Sequence, residues 1–329
     1  REVRPFALLP GPGTYLDPGP PPQLGGLGDA DYKKGALEVI RYSSWLDPDD
    51  GVMVDISPRS LGRNSLGMND GGGHGLTPNP GTGAPYQEQW VKRADYGRVV
   101  AEFWADGPKS ETPPGHWNTL ANQISDHPAL DRRYRGEGGV LDRLEWDVKL
   151  YLALNAALHD AAVAAWGCKR TYDYIRPISS IRYLSGLGQL PETSGLVEMI
   201  TADSSAPGER HADLVASGAT IGDTAIFSWG GEPANPATEY TGSRWILGED
   251  WLPYQRDTFV TPAFAGYVSG HSTFSRAAAE VVTWFTGDPY FPGGLGSHHV
   301  PAGNLEFEYG PSTDVTLQWA TYYDAADQA

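Results

Sequence analysis

Five residues in two short clusters could carry chemistry. Ser269, Gly270 and His271 stand at the entrance to an apolar helical run, Phe274 to Phe285, closed by Gly287. The first turn of a helix leaves backbone N–H groups unpaired and holds a partial positive charge, so it favours an anion. At that spot the serine supplies a hydroxyl, the glycine an approachable N–H and the histidine an imidazole that titrates near neutral pH. About a hundred residues earlier, Lys169 ends a long apolar helical stretch, and Pro177 pushes Arg176 out of the α region. Two cations therefore leave one helix end and point the same way. Each cluster alone also fits a capped helix start or a basic helix terminus. Together they offer charge-assisted hydrogen bonds to a tetrahedral oxyanion.

The pattern Lys-x6-Arg-Pro followed by Ser-Gly-His resembles the vanadium-dependent haloperoxidases and the related type 2 phosphatidic acid phosphatases. Glu102-Phe103-Trp104-Ala105-Asp106-Gly107-Pro108 and Ser110-Glu111-Thr112-Pro113-Pro114-Gly115-His116-Trp117 are similar to a segment of bacterial haloperoxidase-like proteins, and the resemblance runs from about Tyr86 to the end. It implies vanadate as cofactor, with phosphate able to occupy the same site. Lys169, Arg176, Ser269 and Gly270 would hold its oxygens, His271 would be the acid–base group, and Lys169 would also polarise the peroxide. Trp166 and Phe264 match aromatic positions beside the vanadate in fungal chloroperoxidases and would form a halide pocket. Asp106 matches an acidic residue that pairs with a site arginine.

The implied substrates are hydrogen peroxide, a halide and a small organic molecule. Two alternatives use the same residues: an acid phosphatase acting through a phosphohistidine, in which His271 protonates the leaving alcohol, and a helical binding domain without catalysis. The family's third motif, an arginine followed by the vanadium-ligating histidine, has no counterpart, since no arginine follows Arg276. The axial histidine is therefore expected outside this chain, in a C-terminal segment of the same protein, and this segment alone is expected to be inactive. Val268 stands where the family usually has proline.

The chain of 329 residues, 40% hydrophobic and with eleven tryptophans, can bury a large core. No apolar run is long enough to span a membrane. A formal charge of −17 argues against nucleic acid or anionic lipid as a partner, so a bound anion needs a local cationic pocket. The single cysteine, Cys168, excludes an internal disulfide framework and reads as a buried, inert thiol. Arg1 is not an initiator methionine, so the N-terminus reads as processed or trimmed, and the compartment is left open with a secreted or periplasmic location favoured. A homo-oligomer is left open.

Residues 1 to 85 read as a Pro/Gly-rich surface arm, a short helix over Asp31 to Trp45 and a long covering loop from Pro58 to Pro85 that contains His74. Asp47, Asp49 and Asp50 read as an ordinary turn. Residues 86 to 329 read as a helical haloperoxidase-like domain, incomplete at its C-terminus. Asp95 is expected to cap a helix over Val99, Val100, Phe103 and Trp104. Leu141 to Lys169 is apolar on nearly every face and predicts a helix at the centre of a bundle. His116, His159, Asp160, His298 and His299 read as structural or solvent-facing. Ser312 is expected to start a last helix with Val315, Trp319 and Tyr322 on one side. Strand signals are scarce, and the fold class expected is all-α, one or two helical bundles with covering loops.

Overall fold

The structure, a computed structural model, describes residues 3–8, 15–61, 78–107, 110–259 and 261–329. In chain order these form α1 (Asp29–Ser44), β1 (Met53–Asp55), α2 (Pro58–Leu61), β2 (Trp90–Lys92), α3 (Arg93–Trp104) and α4 (Pro113–Asp126). There follow α5 (Arg143–Tyr172), α6 (Pro177–Gly186), β3 (Val197–Met199), α7 (Ala212–Ala216), β4 (Thr224–Trp229) and β5 (Ser243–Leu247). The last elements are α8 (Gly270–Thr286), β6 (Gly296–Val300), β7 (Val315–Trp319) and α9 (Tyr322–Gln328).

Helix ends are set by local chemistry. The Asp142 side chain accepts from the Glu145 N–H to start α5, Thr112 does the same from Gly115 for α4, and Ser269 from Ser272 for α8. Gly287 closes α8 at φ 79°, a left-handed conformation in which a side chain would also strike the Arg135 carbonyl. α5, α8, α4 and α9 enclose the main core through Trp117, Trp146, Leu150, Leu154, Ala278, Val282 and Phe285. Two buried hydrogen bonds cross it: Trp117 Nε1 donates to Ser275 Oγ at 2.8 Å, and Trp146 Nε1 to Ser125 Oγ at 3.2 Å. A second core joins α1, α6 and β4 through Ile40, Ile181, Leu184, Ile226 and Trp251.

The all-α expectation is wrong: the fold is mixed, with antiparallel sheets β1–β2, β3–β4–β5 and β6–β7. The segment from Ser312 is the clearest case. Val315 and Trp319 fit a helical spacing, yet Leu317 between them is also fully buried, and this period of two is a strand's. The helix begins only at Tyr322, behind a capping box of Thr321 and Asp324. His298 and His299 lie in β6, paired with Leu317 and Thr316. The stretch expected to hold only short helices between α6 and Thr261 contains the three-stranded sheet.

Three smaller expectations also change. Asp95 caps nothing. It lies inside the first turn of α3, fully buried against Arg98. α5 is not enclosed on all sides by the described residues, because Leu144, Val148 and Leu152 form an exposed stripe. Part of the expected covering loop is α2, and His74 lies outside the described residues. Asp49 accepts from the Tyr240 hydroxyl and Asp50 pairs with Arg93, so the acidic turn ties loops together. Among the described residues no helix is long and apolar enough to cross a membrane.

Candidate functional site

α5 ends at Asp173, whose left-handed backbone (φ 43°) turns its N–H back to the Lys169 carbonyl at 2.9 Å. The chain then runs extended to Arg176, held at φ −87° and ψ 153° before Pro177 opens α6. Both cations reach one segment, residues 264–266. Lys169 Nζ donates to the carbonyls of Ala265 at 2.8 Å and Gly266 at 3.4 Å, and Arg176 Nε donates to that of Phe264 at 2.8 Å. The Gly266 N–H returns a bond to the Tyr174 carbonyl at 2.8 Å. Glycine is required there, since a Cβ would stand 2.8 Å from the Ile175 carbonyl oxygen.

Neither cation has a carboxylate partner among the described residues. Burial, followed by the neighbouring Arg176 charge, pulls the Lys169 amine down to about 8, and burial also lowers Arg176. Trp166 and Phe264, both partly open to solvent, lie over the pair. Their rings are 5.2 Å apart, Lys169 Nζ lies 5.8 and 5.4 Å from their centroids, and the Arg176 guanidinium lies 4.7 Å from that of Phe264. The Trp166 indole rests on Gly270, where an added Cβ would meet it at 3.5 Å.

At the head of α8, the Ser269 oxygen accepts from the Ser272 N–H at 3.3 Å, which leaves its own proton free to donate. The N–H groups of Gly270 and His271 lie in the first turn and have no intrahelical acceptor. The His271 imidazole is held below its ordinary pKa by burial, with Asp106 and the Trp104 carbonyl opposing and the His116 and Lys169 charges adding to the fall. Its Nε2 is covered and makes no hydrogen bond among the described residues, and Asp106 Oδ1 stands 3.9 Å away.

The sequence-predicted residues therefore gather in two linked groups. One joins Lys169, Arg176, Trp166, Phe264 and Gly270, and the other joins His271 with Asp106. The sequence reading missed the carbonyls of residues 264–266, which fix both cations. Nothing in the sequence pointed to them, since Phe264-Ala265-Gly266 carries no polar side chain. His116 packs edge-on against Phe103 and tilted against Trp104, and His298 lies tilted against Phe103 at 4.4 Å. Among the described residues no three His, Cys, Asp or Glu side chains gather as a metal-ion cage. The donor set fits an oxyanion: two cations, a hydroxyl proton and a helix start.

The family description "VCPO second helical-bundle domain" matches residues 149–329, more than half of the chain. The chain belongs to the vanadium-dependent haloperoxidase family. Two solved structures are similar to it. A holo-type bacterial vanadium-dependent chloroperoxidase is 15% identical with a TM-score of 0.48, covering 92% of this chain and 42% of that one. An apo-type bacterial vanadium-dependent chloroperoxidase is 16% identical with a TM-score of 0.40, covering 78% and 51%. The chain thus spans about half or less of the length of these relatives. No curated protein matches.

Proposed function

We propose that the protein is a vanadate-dependent haloperoxidase, using hydrogen peroxide to convert a halide and a proton into hypohalous acid and water, or into a halogenated organic product. The observation that carries this reading is the pair of cations, buried Lys169 and half-buried Arg176, without a carboxylate partner among the described residues and fixed on residues 264–266 beside the start of α8. Bound vanadate would supply the Lewis acidity that activates peroxide towards halide. Lys169, Arg176, Ser269 and Gly270 hold its oxygens in this reading. His271, kept neutral near pH 7 by burial, takes the proton that peroxide gives up and returns it to the departing oxygen, while the hydrogen bond to the Trp104 carbonyl orients the ring and the nearby Asp106 charge favours its protonated form. Trp166 and Phe264, each 42% exposed, offer the halide apolar ring surface that replaces part of its hydration.

Residues 86–329 act as the helical haloperoxidase-like domain, with residues 1–85 as arm, short helix and covering loop. The test is halogenation of a dione reporter by the whole protein with bromide, then chloride, with and without orthovanadate. Activity that appears only with vanadate supports the reading. A strong phosphomonoesterase activity inhibited by vanadate, with no halogenation, replaces it with the acid-phosphatase alternative.

A further inference from the structure

Both motifs carry tyrosines that the proposed chemistry does not use. Tyr172 and Tyr174 lie between Lys169 and Arg176, and Tyr267 follows the segment that holds both cations. The three rings meet edge-on, Tyr267 being 5.7 Å from Tyr172 and 6.1 Å from Tyr174. Each hydroxyl turns away from the site and donates to the N-terminal arm: Tyr172 to Asp17 Oδ1 at 2.5 Å, Tyr267 to the Gly19 carbonyl at 3.2 Å and Tyr174 to the Pro22 carbonyl at 2.7 Å. A proline-rich backbone forms no internal hydrogen-bond ladder, so its carbonyls are available to such donors.

Two further contacts lay the arm along α5. The Tyr15 hydroxyl fills the space a side chain at Gly167 would need, 1.9 Å from an added Cβ. Upstream, the Asp160 carboxylate accepts from the N–H groups of Phe6, Ala7 and Leu8 at 2.7, 2.7 and 3.1 Å. Burial alone would raise Asp160, but these amides and His159 outweigh it and leave the carboxyl below its ordinary value.

We infer that residues 17–22 form a strap that holds the framework of the anion site closed, with Tyr172, Tyr174 and Tyr267 as its positioning residues. The inference rests on the oxyanion-site reading and adds to it a part of the chain that lies outside the family match. Tyr267 adjoins Gly266, whose carbonyl and N–H are bound to Lys169 and Tyr174. Tyr172 and Tyr174 lie on the turn that aims Arg176. The strap ties the two halves of the site together from outside.

Two variants of the whole protein test it. One lacks the first 22 residues. The other combines Tyr172→Phe, Tyr174→Phe and Tyr267→Phe, keeping the rings and removing the hydroxyls. Amide exchange at residues 264–266 and NMR titration of the Lys169 amine read the framework without ligand, and the affinities for inorganic phosphate and orthovanadate read the site. The expected results are faster exchange, a Lys169 amine that titrates closer to the ordinary lysine range as water reaches it, and anion binding about fivefold weaker, equivalent to one lost hydrogen bond.

A Lys169 titration unchanged in both variants overturns the strap, whether or not anions bind. A deletion variant that does not fold also overturns it, because the arm would then be part of the core. A Lys169 titration that changes in the variants, with a wild-type protein that binds neither anion, keeps the strap and defeats the haloperoxidase reading instead.

Discussion

At the scale of single residues, Lys169 is buried with no acid among the described residues to offset the cost. A buried ammonium that meets only carbonyls is tolerated for what it binds. Lys169→Met keeps the volume and removes the charge, so its thermal midpoint at pH 7 should equal or exceed that of wild type. Phosphate and vanadate affinity, measured by calorimetry, should fall about tenfold or more, the contribution of one charged hydrogen bond. The wild-type affinity should decline as pH rises through about 8, where the amine loses its proton, and the variant should lack that step. His271→Ala should leave anion binding near wild type while halide oxidation drops roughly 10²–10⁴-fold, the usual range for a lost acid–base group. These side chains were legible in the sequence because their types and spacing are local. Their fixation by the carbonyls of residues 264–266 was not, since every residue offers a carbonyl and only the fold says which are aimed.

Among the elements, β7 shows where periodicity misleads. Positions 315, 319 and 322 satisfy a helical repeat, and a reading weighted towards helices absorbs Leu317 as noise. The strand buries Val315, Leu317 and Trp319 on one face and pairs with β6, which sets His298 against Phe103. Leu317→Ala should therefore cost about 2–5 kcal/mol in urea unfolding, as for a fully buried leucine. A cost within about 0.5 kcal/mol, normal for a surface position, would show that the segment does not have this register. α5 and α8 were legible almost to their ends, because caps and a long apolar pattern specify a helix from within. Short paired strands are specified by partners far away in sequence, such as Val197 with Ile226, and a single chain seldom reveals them.

At the scale of the molecule, α3 is set against the loop between β6 and β7 through buried charges that no spacing could reveal. Arg98 donates to Asp95 at 2.5 Å, Glu308 at 3.0 Å and the Tyr309 carbonyl at 3.1 Å, and Trp229 Nε1 donates to the other Glu308 oxygen at 3.1 Å. Arg98→Ala would leave two buried carboxylates without their counter-charge, held only by neutral donors, and should cost about 3–5 kcal/mol by denaturant unfolding. Four residues further along α3, Glu102 holds the same loop. It accepts from the N–H groups of Glu306 and Phe307 and from the Tyr254 hydroxyl. Burial pushes its carboxyl up to about 7 despite these three donors. The folded value lies above the unfolded one, so the protonated acid stabilises the fold below the unfolded pKa, and that contribution is lost as pH rises through about 7. The whole change is worth roughly 3 kcal/mol at most, since each pKa unit is about 1.4 kcal/mol. Glu102→Gln imitates the protonated acid at every pH. Unfolding free energies at pH 5 and pH 8 should fall less in the variant than in wild type, by up to that amount. Equal declines in the two proteins would mean that the three donors keep Glu102 ionised in the fold throughout, and that α3 grips the loop by charge at both pH values.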